Sequence, residues 1–339
     1  MSELREFESV RAWMTALRAA GKAPPGSVTE RAYLRWLGMF CEFSALNPDD
    51  IVRQLKSPDD LWAVQKFRQR LNEFVVFLQE RKGYQRNTIG QAVAAIQSFL
   101  AYNGIAIKYP FSWVDSAEPR LPTPEELVKV YEALGDVCRK HLEEVRAFML
   151  MAKDSGLSAN TILSLAWDRP QAAGGERPYP SIAEQLETGV RPIHLRVVRR
   201  KTGVRHDSFL GEEAIRALKV LYEGSGGVGR IIPLRDDYIR HRLLRACRVA
   251  RVYPVSPQLL RKFFITRMKL APVLVKADLP SEYRVPYDVW NAIVEYMAEH
   301  VRPKVERAYF KPFLEVLGEL YEAHYDAIRI FPKTAQKVD

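Results

Sequence analysis

The chain has 339 residues, a length that suits two domains better than one. Its 47% hydrophobic and 27% charged residues exclude a disordered chain, and no apolar run approaches the roughly 18–20 residues of a membrane span. The net charge of +10 is shared: residues 1–106 carry 14 basic and 11 acidic side chains and the remainder 37 and 30, so a polyanion is the natural partner for both parts.

The charged start, MSELREFESVRAW, lacks the apolar core of a secretion signal. Residues 28–106 read as helices separated by polar punctuation. VTERAYLRWLGMFCEF (28–43) sets Tyr33, Trp36, Leu37 and Phe40 at helical spacing, with Thr29 as expected N-cap. NPDDIVRQL follows with its own cap and Pro48 in the first turn. From Pro58 to Lys82 the stripe continues through Trp62, Phe67, Leu71, Val75, Phe77 and Leu78, all expected in the core. RNTIGQAVAAIQSFLAYNGI (86–105) has Asn87 as expected cap, the stripe Ile89, Val93, Ile96, Leu100, and a stop at Asn103-Gly104. The three cysteines, Cys41, Cys138 and Cys247, are far apart and match no metal-ligand spacing. They read as buried thiols of a reducing compartment, giving an expected cytoplasmic, nucleoid-associated location.

Residues 107–122 form the expected linker, with prolines at 110, 119 and 122 and no periodicity. Thr123-Pro124-Glu125-Glu126 then opens a helix: cap, proline in the first helical position, acids in the first turn. Residues 193–210 read as two strands joined at Lys201-Thr202-Gly203, with Arg199 and Arg200 beside the turn. Such a turn could enter a DNA groove, and equally its lysine could simply be solvated. Helices resume around 235–250, 256–270, 286–299 and 304–327. The whole is expected to be mainly α with a small β-hairpin, an α+β chain of two domains.

In SPQLLRKFF (256–264), Ser256 is the cap and Pro257 the first helical residue. Gln258 and Arg261 then share a face near the positive end of the helix dipole. Amide, guanidinium and helix N-terminus make a phosphate site; alternatively, Arg261 snorkels over an ordinary helix surface. In EHVRPKVERAYFKP (299–312), His300 and Tyr309 are nine residues apart, which on one helix would turn them to opposite sides. Pro303 breaks such a helix, so the two can converge from separate elements.

A Gly156-Leu157 turn, Lys201 in a hairpin, Arg261 in a capped helix, His300 and Tyr309 follow one another in an order and spacing that resembles the tyrosine recombinases (phage-integrase family). The resemblance runs from about residue 28 to 312, and in style is nearest to archaeal and archaeal-virus members. It implies a two-domain DNA clamp: a helical core-binding domain (1–106), the linker (107–122), a catalytic domain (123–312) and a C-terminal helix or tail (313–339). It implies that Tyr309 attacks a backbone phosphorus, giving a 3′-phosphotyrosyl link and a 5′-hydroxyl. Arg261, His300 and Gln258 would bind the phosphate, and Lys201 would protonate the leaving oxygen, with neither metal nor cofactor. The implied partner is double-stranded DNA, bound by a chain that is monomeric when free and dimeric to tetrameric on DNA.

The chain departs from the family at two places. Ser158 stands where the first catalytic arginine is expected, leaving Arg169, Arg199 and Arg200 as candidate substitutes. Gln258 stands where histidine or lysine is usual, with Lys262 as a helper. The expected activity is therefore site-specific recombination. A weak or inactive recombinase-like DNA-binding protein, or a helical transcription regulator, is the alternative. After Tyr309, Leu314, Leu317, Leu320 and Tyr321 are spaced for a helix that packs either on a neighbouring protomer or on its own domain.

Overall fold

A computed structural model describes residues 3–56, 61–107, 109, 120–168, 179–198, 204–275, 285–299 and 316–333. The chain divides into two compact units, Met1–Glu118 and Pro119–Asp339. Among the described residues the architecture is mostly helical with one two-stranded sheet, as the sequence predicts. Most of the expected linker, residues 110–119, lies outside the described residues. No helix among the described residues is long and apolar enough to cross a membrane.

The first unit holds α1 (Glu8–Ala19), α2 (Val28–Ser44), α3 (Pro48–Lys56), α4 (Leu61–Val76), a π-helical turn (Phe77–Arg81) and α5 (Arg86–Tyr102). Trp13 is fully buried, stacks on Tyr33, meets Phe99 edge-on and donates its indole N–H to Ser98 at 3.1 Å. The stripe Ile89, Val93, Ile96 and Leu100 is buried as its spacing predicts, and α5 ends at Tyr102 with Asn103 as C-cap and Gly104 left-handed. Three expectations need correction. Ser27, not Thr29, caps α2: its hydroxyl accepts the Glu30 N–H at 3.1 Å, because only a residue outside the first turn can reach back to it. Gln85, not Asn87, is the N-cap position of α5, and no side chain caps it. Trp62 is 78% exposed, because the first turn of α4 lies beyond the core that Phe67, Leu71 and Phe74 fill.

The second unit is built on α7 (Leu142–Ser155), buried without interruption from Ala147 to Ser155 and therefore apolar on every side except at Lys153, Asp154 and Ser155. It packs against α10 (Glu212–Ser225) and α12 (Pro257–Lys269), while α6 (Pro124–Val137) pairs with α11 (Asp236–Ala250). Thr123 and Glu126 form the expected capping box of α6. Short helices α8 (Ala159–Ile162), α9 (Ile182–Glu187) and α13 (Ala271–Leu274), and α14 (Tyr287–Met297), complete the scaffold. Strands β1 (Ile193–Val198) and β2 (Arg205–Leu210) pair antiparallel, Ile193 opposite Leu210 and Val198 opposite Arg205. The last described helix, α15 (Leu317–His324), buries Leu317, Leu320 and Tyr321 in the core of this same unit. The described tail residues thus pack on their own domain, the second of the two arrangements that the sequence allows.

Candidate active site

The start of α12 is built as its sequence dictates. The Ser256 hydroxyl accepts the Leu259 N–H at 3.2 Å and Pro257 takes the first helical position. Gln258 is exposed, whereas the Arg261 side chain is only 5% exposed. Arg261 is not snorkelling over a surface. Together with Lys262, Ile265, Thr266, Lys269, Leu270 and Tyr287, these two line a groove of about 520 Å³. Arg261, Lys262 and Lys269 bring positive groups to this groove, of which Arg261 is ion-paired with Glu299 and Lys269 with Glu295.

Arg261 is held from behind. Its Nη1 donates to Glu299 Oε2 at 3.0 Å. The same carboxylate accepts the Ser158 N–H at 2.9 Å and the Thr161 hydroxyl at 2.5 Å, while Ser158 Oγ and Thr161 Oγ1 lie 2.8 Å apart. Glu299 is fully buried. Burial is the strongest influence on its pKa and pushes it up, but the Thr161 and Ser158 hydrogen bonds and the Arg261 charge outweigh it, so the pKa is lowered and the group stays ionised. Sequence reasoning did not find Glu299 or Thr161. One cue was available: Glu299 follows the end of α14, where the helix dipole disfavours an acid unless a cation or donors face it.

The hairpin is tied to the same helix. The Tyr296 hydroxyl donates to Asp207 Oδ2 at 2.5 Å, His194 Nε2 donates to Oδ1 at 2.8 Å and Arg196 Nε at 3.2 Å. His206 Nδ1 donates to the Tyr296 carbonyl at 3.0 Å, and the Ser208 hydroxyl to the Ser155 carbonyl at 2.8 Å. The bases of three elements (hairpin, α14 and the α7–α8 turn) are therefore fixed to one another.

Of the expected site residues, Arg261, Gln258 and Lys262 share the groove, and Ser158 meets Arg261 through Glu299. Tyr309, His300, Lys201, Arg169, Arg199 and Arg200 lie outside the described residues. Tyr321 and Tyr325 are buried, their hydroxyls donating to the Asp154 carbonyl and carboxylate at 3.1 Å each. Burial, with the Asp154 charge behind it, raises both hydroxyls well above the usual tyrosine range, which makes them poor nucleophiles.

No protein-family model matches the chain, and no curated protein does. Solved structures do. A lambda integrase (residues 75–356) dimer bound to a COC′ core site is 14% identical over 88% of this chain and 97% of that one, with a TM-score of 0.54. The Tn1549 transposon integrase (residues 82–397) in complex with circular intermediate DNA is 13% identical over 89% and 94%, with a TM-score of 0.51. At such identities the likeness establishes the fold: this chain is folded as those integrases are.

Proposed function

We propose that the protein is a site-specific DNA recombinase of the tyrosine recombinase family, cleaving and rejoining duplex DNA through a covalent 3′-phosphotyrosyl intermediate. The observation that carries this reading is the groove at the start of α12, where Gln258, Arg261 and Lys262 stand together beside Glu299, the residue preceding His300. The integrases of like fold were solved on DNA, which supports duplex DNA as the partner. In this reading Tyr309 attacks the phosphorus, and Arg261, His300 and Gln258 take up the charge that develops on the phosphorane. Lys201 protonates the departing 5′-oxygen, with Lys262, Arg169, Arg199 or Arg200 adding positive charge. The link conserves the energy of the broken bond, so a second strand's 5′-hydroxyl reverses the attack, and exchange takes place within a tetramer on two DNA sites.

The test uses a nicked DNA substrate that traps the covalent adduct. The wild-type chain should give a protein–DNA band on denaturing gels and Tyr309→Phe none. An adduct with Tyr309→Phe would remove Tyr309 as the nucleophile. Binding without adduct by both chains would leave a DNA-binding relative that does not cleave.

A further inference from the structure

We propose that Glu299 is a positioning residue: it fixes the guanidinium of Arg261 toward the α12 groove and joins it to the turn that carries Ser158. This rests on the proposed recombinase function and gives a role to a residue to which the family resemblance assigns none. Three elements far apart in sequence converge on its carboxylate, namely the α7–α8 turn through the Ser158 N–H and the Thr161 hydroxyl, α12 through Arg261, and α14, which it follows directly.

Two features are costly for a part that serves stability alone. A buried ion pair gains little over apolar packing, since both charges lose their water. Glu299 also stands just past the C-cap of α14 with a left-handed backbone, φ 57°, a helix ending that costs a non-glycine residue some strain and that Ala45 and Arg251 share. What the pair does supply is direction. A guanidinium has a fixed fork of donors, so holding Nη1 from behind determines where the other N–H groups aim. The turn at Ser158, where an arginine would otherwise contribute a donor, instead contributes two hydrogen bonds that orient the carboxylate. Among the described residues, the turn at Ser158 therefore holds the Arg261 guanidinium in place through Glu299 rather than adding a guanidinium of its own.

The carboxylate is fully buried and lies behind the groove, so it acts through Arg261. Glu299→Gln preserves shape and removes the charge. Single-turnover adduct formation on the nicked substrate should fall about 10²-fold, the cost of a misplaced group by roughly an ångström. Affinity for the same duplex should change little; the midpoint of thermal unfolding should fall, because Arg261 stays buried without its counter-charge, so both chains are assayed at a temperature where each is fully folded. Independently of activity, phenylglyoxal should modify Arg261 slowly in the wild-type chain and rapidly in Glu299→Gln, read by mass spectrometry of the peptide. Unchanged Arg261 reactivity overturns the pairing, whatever the activity. Changed reactivity with an unchanged cleavage rate, or a rate that falls only in step with melting, overturns the positioning role. A wild-type chain that forms no adduct on any nicked site overturns the proposed function and the catalytic meaning of Glu299, while the reactivity comparison still decides the pairing.

Discussion

Lys153 Nζ lies 2.6 Å from Glu213 Oε2 inside the second unit, with both side chains closed off from solvent. Asp154 pairs with the same ammonium and also accepts the N–H groups of Gly211 and Ala214 and the Tyr325 hydroxyl. Glu213 accepts the N–H groups of Ile330 and Phe331, at 3.1 and 2.6 Å. One cation thereby holds two carboxylates that fasten the C-terminal segment to the core. Lys153→Met should leave both acids buried without their cation and cost about 3–5 kcal/mol. A urea titration followed by tryptophan fluorescence should show the midpoint fall, and an unchanged midpoint would mean that the segment docks by apolar contacts alone.

Asp207 predicts an acid limit. Burial pushes its carboxyl up, but His194, Tyr296 and Arg196 together bring it from the ordinary 3.8 down to about 2. The folded state therefore holds this proton less tightly than the unfolded chain. Its stabilisation is complete above about pH 4 and is lost as pH falls through about 2, a contribution of about 2 kcal/mol. Asp207→Asn should lower stability at pH 7 by about that amount and flatten the acid limb between pH 4 and 2. Denaturant midpoints across that range check it, and parallel wild-type and variant curves would assign the acid loss to other groups.

The legible parts of the chain were those whose chemistry is local. Thr123 with Glu126, Ser256 with Pro257, and the alternation Ile193, Leu195, Val197 each specify their element within a few residues. The misread positions depended on the extent of each element and of the core. Thr29 has the right chemistry but stands inside the first turn of α2, and Trp62 continues a periodic stripe past the end of the core. Glu299 and Thr161 were illegible for a different reason. They are 138 residues apart, and the hydrogen bond between them exists only once α7, α12 and α14 have packed.

Gly156 explains why the turn before Ser158 is built as it is. Its φ is +62°, and a Cβ there would come within 2.2 Å of Phe264 Cδ1. Gly156→Ala therefore meets both backbone strain and overpacking, and should cost about 1–3 kcal/mol. Because Ser158, two residues on, binds Glu299, adduct formation should fall as well. Adding Phe264→Leu should restore part of the stability. A double variant no more stable than the single one would assign the loss to the backbone alone.

Ser158→Arg separates two ways in which the site could respond to a second guanidinium. The backbone N–H at 158 still reaches Glu299, while the hydroxyl contact with Thr161 is lost. If the new side chain extends into the α12 groove, it adds a donor to the phosphorane, and removal of one such donor typically costs about 10²–10³ in rate. We expect this outcome, a faster single-turnover cleavage of the nicked substrate than wild type. If the new guanidinium instead takes Glu299 from Arg261, cleavage slows, and phenylglyoxal should then modify Arg261 as readily as in Glu299→Gln. An unchanged rate with Arg261 still protected would mean that another cation, such as Arg169, Arg199 or Arg200, already fills the position. Combining Ser158→Arg with substitution of each of these in turn would identify it.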